Sequence, residues 1–335
     1  MFLAAGLASL LQVACTGQPD PSPLADYASR LARTPNGSPH PLRRFVPPPY
    51  PDADDRQVPR ADVRVGLGDF LDLKACGLRS LVAERNSALG KLEGDGLRLV
   101  YEHALITGLT RCLRRLEESG KDPALAASLR EVLEAKRLDT GPMIWNATIG
   151  SREFAALYRV SAPALDPVRA EPAPDKALRG LAEMVSRYGQ EDASISRDVL
   201  IGYFEDLERS GHGGRLAKSL GRATGELAVA SQALATISCP SSTETDLKAA
   251  RERFEGGDVA QWLAALSAAG SRWQRALDRL LAAQSVAPPE GFMDYYQQLM
   301  NPANDKGIWP AFQAAFGQHR NAWSEFSARC TSRED

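Results

Sequence analysis

A chain of 335 residues with 40 Lys and Arg against 42 Asp and Glu carries a net charge of −2. That balance gives no indication of the dominant basic surface of a nucleic-acid-binding protein. Hydrophobic residues make up 44% of the sequence, ample for one large core or two smaller ones.

From Phe2 to Ala14 the residues are apolar or small, apart from Ser9 and Gln12. The run is too short to cross a hydrocarbon layer of about 30 Å, which takes about 20 helical residues. It has the length of a signal-peptide apolar region, with the small Ala14 at the cleavage position. Cys15 directly after it is similar to the signal of a bacterial lipoprotein. That implies a signal peptide over 1–14, cleavage before Cys15, and acyl chains on its thiol and new amino group. Two features depart from the pattern: Gln12 stands where such signals carry Leu, and no Lys or Arg precedes the run. The competing reading is an ordinary signal peptide with Cys15 incidental. Thr16, rather than Asp, follows Cys15, which by analogy with lipoprotein sorting points to the outer membrane, with the domain in the periplasm.

Residues 15–60 read as a polar, Pro-rich tether, interrupted by a short helix-like stretch at Leu24–Arg33. The later part, "RTPNGSPHPLRRFVPPPYPDADD", is expected to run extended, because proline fixes φ and lacks an amide donor. Residues 61–161 form an N-terminal helical region. Its "ADVRVGL" at 61–67 is the nearest approach to a strand pattern. Leu97, Tyr101, Leu105, Leu109, Cys112 and Leu116 recur every three or four positions, which is one face of a helix. Asp122-Pro123 marks a helix start. The helix it opens carries Leu125, Leu129, Val132 and Leu133 and is expected to stop before Gly141-Pro142; a shorter one follows from Ser151 to about Val160.

The stretch "SAPALDPVRAEPAPDK" holds four prolines, so 162–175 reads as a linker or a long surface loop, and the boundary between two helical halves is placed here. In the C-terminal region, 176–335, Leu216, Leu220, Ala223, Leu227, Ala230, Leu234 and Ile237 form a heptad stripe. Gly221 and Gly225 on that helix are expected to admit a close neighbouring helix. Val259, Trp262, Leu266, Trp273, Leu277 and Leu280 form another stripe, and Phe312, Phe316, His319, Trp323, Phe326 and Cys330 a last one. The fold class is all-α, built as antiparallel helical bundles in one or two packed halves.

Of five cysteines, lipidation of Cys15 leaves four, an even number suited to an oxidising compartment. Four allow three pairings. Cys76–Cys112 and Cys239–Cys330 are preferred because each pair falls within one half. No two cysteines stand at C-x-x-C spacing, so no structural metal is expected.

Several polar groupings are candidate sites. Glu84, Arg85 and Asn86 cluster before Gly90 and could hold a small polar ligand or simply cap their helix. Glu102 and His103 are adjacent, hence about 100° apart on a helix and unable to act as a dyad, and His103 is expected to be partly exposed. Trp145, Asn146, Thr148 and Glu153 precede a helix; an aromatic beside an amide can hold a sugar or peptide, or anchor a core. Asn146-Ala-Thr is also a glycosylation sequon. "GHGGR" around His212 lacks the Lys and Ser/Thr of a phosphate loop and reads as a flexible connection. G-x-S-x-G and H-E-x-x-H are absent.

The segments "FLDLKACGLRSLVAERNSALGKL", "LVYEH" and "IWNATIGSREF" resemble a bacterial family of envelope lipoproteins catalogued as domain of unknown function 3080. The resemblance runs from about Pro47 to Tyr158. It implies a lipoprotein signal and a helical periplasmic domain, and carries no catalytic or binding residue. The expectation is an accessory binding or scaffolding lipoprotein, held to the membrane by acyl chains and contacting envelope proteins or peptides, with no cofactor and no nucleic acid. The alternative is an enzyme acting on an envelope polymer or small molecule, with Glu84, Arg85, Asn86, Asn146 and Glu153 in one cleft.

Overall fold

The structure, a computed structural model, describes residues 22–33, 45–60, 76–92, 94–169, 174–238 and 244–331. Among these, every regular element is a helix, as the all-α reading requires. In chain order they are α1 (Pro23–Ala32), α2 (Ala53–Arg56), α3 (Arg79–Asn86), α4 (Ala88–Leu92), α5 (Asp95–Ser119), α6 (Pro123–Ala147) and α7 (Arg152–Ala156). Then follow α8 (Asp175–Ser186), α9 (Arg197–Ser210), α10 (His212–Thr236), α11 (Glu244–Glu255), α12 (Asp258–Ala282), α13 (Glu290–Leu299) and α14 (Ile308–Thr331). The strand candidate at 61–67 lies outside the described residues.

The stretch within the expected tether is a core helix. α1 is capped by Ser22, whose Oγ accepts the Ala25 N–H at 3.0 Å. It buries Leu24, Tyr27, Ala28 and Leu31 against α10, α11 and α12. Spacings of three and four put these residues on one stripe. Ten residues of helix are marginal in water, so it is the packing that holds α1 helical. The 15–60 segment is therefore not a tether throughout.

Periodicity located the rest of the core well. All seven residues of the α10 stripe are buried, as are the six named on α12. Gly221 on α10 admits the ring of Phe45 rather than a helix, and Gly225 faces open space. The "GHGGR" segment is a tight junction, not a flexible one. Gly211 ends α9 at φ +54, and Gly213 and Gly214 take the Tyr158 ring and the Arg159 backbone against the first turn of α10.

α6 begins as expected, with Asp122 accepting the Leu125 N–H at 3.0 Å. It does not stop at Gly141-Pro142 but runs through Pro142 to Ala147. An interior proline costs a helix about 3 kcal/mol. Each large apolar side chain buried returns about 1.5–3 kcal/mol, and Met143, Ile144 and Trp145 are all buried just beyond it. Burial wins. Gly141 helps, since a Cβ there would meet Val286 and Ser285 at 2.6 and 2.8 Å.

The Pro-rich stretch 162–175 is not a boundary between two cores. Leu165 is buried within it, takes a hydrogen bond from Ser219 Oγ and gives one to Arg215. One large core draws on Leu24, Leu99, Trp145, Tyr158, Leu178, Leu227 and Trp323, from both sides of the supposed divide. A small satellite core of Leu78, Val82, Leu105, Leu109, Cys112, Leu129 and Leu133 sits farther out along the α5–α6 hairpin. There the expected Cys76–Cys112 disulfide joins α5 to the approach to α3, with Cα atoms 5.3 Å apart. Closing 36 residues restricts the unfolded chain by about 4 kcal/mol in the entropic model. Cys330 is disulfide-bonded as well; Cys239, its expected partner, lies outside the described residues.

α1, α10 and α14 are cross-linked by a buried polar chain. Trp323 Nε1–H donates to Tyr27 Oη at 2.7 Å, and Tyr27 lies 2.6 Å from His319 Nε2. His319 Nδ1 is 2.9 Å from Ser231 Oγ, which donates to the Leu227 carbonyl at 2.8 Å. An indole only donates and a carbonyl only accepts, so one arrangement with a neutral ring gives every hydrogen of the chain a partner. Tyr27 donates to Nε2, and Nδ1–H donates to Ser231. The imidazole is neutral and cannot act as a base toward Ser231. Burial accordingly drives its pKa down to about 4. One turn back on α10, Glu226 is buried and accepts from Ser22 Oγ at 3.2 Å. Burial raises its pKa to about 7, opposed by that hydrogen bond and by Arg222.

These two groups pull stability in opposite directions. His319, with a folded pKa of about 4 below its ordinary 6.5, contributes stability that is lost as pH falls from 6.5 to 4. Glu226, with a folded pKa of about 7 above its ordinary 4.5, contributes stability that is lost as pH rises from 4.5 to 7. Each spans about 3 kcal/mol, so between pH 4.5 and 6.5 they largely cancel. Urea unfolding across that window is expected to show Glu226→Gln losing stability toward low pH relative to the parent, and His319→Phe losing it toward high pH. Parallel profiles for all three proteins would refute this assignment.

Candidate functional site

The residues singled out around "IWNATIGS" do come together with a ligand, and that ligand is the chain itself. Residues 45–60 pass extended, apart from α2, across the end of α6. Trp145 Nε1–H donates to the Arg56 carbonyl at 2.7 Å. Asn146 Oδ1 accepts the Val58 N–H at 2.8 Å, and its Nδ2 donates to the Val58 carbonyl at 2.8 Å. An amide satisfying both backbone groups of one residue acts as a neighbouring strand would. Tyr50 Oη donates to the Ile149 carbonyl at 2.8 Å, and Arg56 Nε to that of Gly150 at 3.1 Å. Behind this strap, Tyr50 stacks on Tyr158 at 5.0 Å, and Tyr295 meets both edge-on at 5.1 and 5.2 Å. Asn146 is buried with its amide fully engaged, so the sequon offers no accessible acceptor.

The other candidates lie elsewhere. Glu84 and Asn86 are exposed on α3, and Arg85 donates to the Gly90 carbonyl. Glu153 pairs with Arg152 at 2.8 Å beside the Ser151 cap of α7. Trp145 and Asn146 face the strap. Glu102 and His103 are both buried, which corrects the expected exposure of His103. His103 accepts the Gly189 N–H at Nδ1 (3.2 Å), and its Nε2 lies 3.0 Å from the Ala193 carbonyl. It pins the turn between α8 and α9, where Gly189 adopts φ +79.

What the sequence did not reveal is a set of ion pairs beneath the strap. Lys136 Nζ lies 2.8 and 3.1 Å from the Glu102 oxygens, with Arg98 3.4 Å from the same carboxylate. Arg60, at the end of the strap, reaches Asp139 at 2.6 Å. Nothing local in the sequence marks these charges as partners across the hairpin. Between α8 and α9, Met184, Ile195, Val199 and Tyr203 line a depression of about 160 Å³ rimmed by Glu183 and Arg187. Ligand pockets run to roughly 300–1,000 Å³, so it is small for one. Among the described residues no group of His, Cys, Asp and Glu is placed to hold a metal.

Asn146→Ala is expected to cost about 2–3 kcal/mol by stripping both bonds from Val58, and to speed proteolysis within 45–60 in the folded protein. Lys136→Met is expected to cost about 3–5 kcal/mol by stranding Glu102, with most of the loss recovered in Lys136→Met/Glu102→Met. Chemical denaturation measures both, and an unchanged cleavage rate or a worse double variant would count against them.

The chain matches the family model described as "Protein of unknown function (DUF3080)" over residues 24–333. No curated protein and no solved structure matches it. The match exceeds the Pro47–Tyr158 span read from motifs and takes in the strap, both cores and the His319 chain. With every helix inside that match save the first residue of α1, the chain belongs to the DUF3080 family of proteins of unknown function.

Proposed function

We propose that this is a lipid-anchored protein of the bacterial cell envelope whose helical body serves as an accessory binding or scaffolding module. Cysteine chemistry carries the reading. Cys15 stands directly after an apolar run ending in a small residue, the arrangement that lipidation uses. Cys76 and Cys112 are joined, and such bonds persist in oxidising compartments outside the cytoplasm. Thr16 after Cys15 favours the outer membrane, with the body in the periplasm.

The body supports binding better than catalysis. Trp145 and Asn146, which the enzyme reading needs in a cleft, are engaged with the backbone of residues 56–58, and Glu153 pairs with Arg152. The histidine best placed beside a hydroxyl, His319, presents its protonated nitrogen to Ser231. The α5–α6 hairpin, meanwhile, carries exposed charge and the exposed Leu138 on rigid helices, a surface suited to envelope proteins or peptides.

In a bacterial host, Cys15→Ser is expected to move the protein from the membrane fraction to the soluble periplasmic fraction. The parent's N-terminal peptide is expected to carry acyl mass on Cys15. An unacylated parent, or a variant retained in the membrane, overturns the anchor.

A further inference from the structure

We propose that the face around the start of α1, with Val46 at its rim, lies against the phospholipid bilayer, held there by a leash only seven residues long. The proposal rests on lipidation of Cys15 and adds an orientation to it. Ser22 is the first described residue and is fixed to the body, through its cap on α1 and its bond to Glu226. From Cys15 to Ser22 is seven residues, at most about 25 Å of fully extended chain. A body of this size is about 50 Å across. A leash of half that diameter keeps its point of attachment in the hemisphere nearest the membrane, whatever the conformation of the leash.

The groups beside that point suit the position. Ser22 is level with Glu226, and Tyr27 is level with Ser231 through His319, so α1 and α10 run parallel. Residues preceding Glu226 on α10 therefore lie beyond the start of α1. There, about 8 Å back along α10, Gly221 is covered by the ring of Phe45. Val46, next to it in sequence, is 60% exposed. An exposed aliphatic side chain at this position fits the boundary between headgroups and acyl chains. The tip of the α5–α6 hairpin, by contrast, stands about 30 Å along α5 from Leu99, where that helix enters the large core.

The test uses the full-length acylated protein in vesicles of phosphatidylethanolamine and phosphatidylglycerol containing nitroxide-labelled lipid. An environment-sensitive fluorophore is attached through Val46→Cys or, separately, Lys121→Cys. Quenching is expected to be several-fold stronger at position 46 than at 121. A 20-residue Gly/Ser insertion between Asp20 and Pro21 is expected to abolish most of that difference while the protein stays membrane-bound. Equal quenching at the two positions in an acylated protein overturns the orientation and leaves the anchor standing. A difference that survives the insertion shows a face that adheres by itself and overturns the leash. Absence of acyl mass on Cys15 overturns the anchor and the orientation together.

Discussion

A single run of hydrogen bonds, from Trp323 through Tyr27 and His319 to Ser231 and the Leu227 carbonyl, sets how three helices meet. The apolar contacts around it supply more free energy, since Leu24 and Leu31 alone are each worth about 1.5–3 kcal/mol on burial. Those contacts are not directional, however, and α1 could trade one leucine for the next in the groove formed with α10 and α12. The polar run cannot slide. A one-turn shift of α1 would leave a tyrosine hydroxyl, an imidazole nitrogen and an indole N–H buried without partners, at about 1–3 kcal/mol each. Apolar packing holds α1 in place, and the polar run decides which place.

The same division of labour recurs at the other end of the large core. The aromatic cluster of Tyr50, Tyr158, Tyr295, Phe292 and Trp145 supplies area, while the amide of Asn146 fixes the register of the extended segment against α6. The ion pairs of Glu102 with Lys136 and of Arg60 with Asp139 extend that fixing from the strap into the hairpin. The hairpin leaves the large core through this charged layer and then acquires its own small core and disulfide. Two apolar clusters separated by a specific polar layer keep one geometry between them.

Helical periodicity made α10, α12 and α14 readable, because a stripe repeating at threes and fours has no other packing that buries it. The caps at Asp122 and Ser151 were readable for the same local reason, and so was the Cys76–Cys112 bond, whose partners lie on neighbouring elements. What escaped depends on distant sequence. Trp145 and Asn146 looked like ligand-binding groups because their partners lie almost ninety residues earlier in the chain. α1 looked like part of a tether because ten residues between proline-rich stretches give no hint of a groove formed by residues 212–331. His103 looked exposed because it leaves the apolar stripe of α5, yet the turn at 189–193 covers it. Pro142 read as a stop because the local penalty is visible in sequence and the burial that outweighs it is not.

The separation of 292 residues between Tyr27 and His319 also orders events during synthesis. A ribosome adds about 5–20 residues per second, so α1 emerges roughly 15–60 s before the last helix that receives it. Until α10 emerges, about 180 residues after α1, its leucines and tyrosine have no native surface to cover them, whereas the hairpin can close soon after its second helix appears. The amino-terminal helix is thus among the first parts made and the last to be seated, and the nascent chain depends on holding that greasy stripe out of trouble until its carboxyl-terminal end is free.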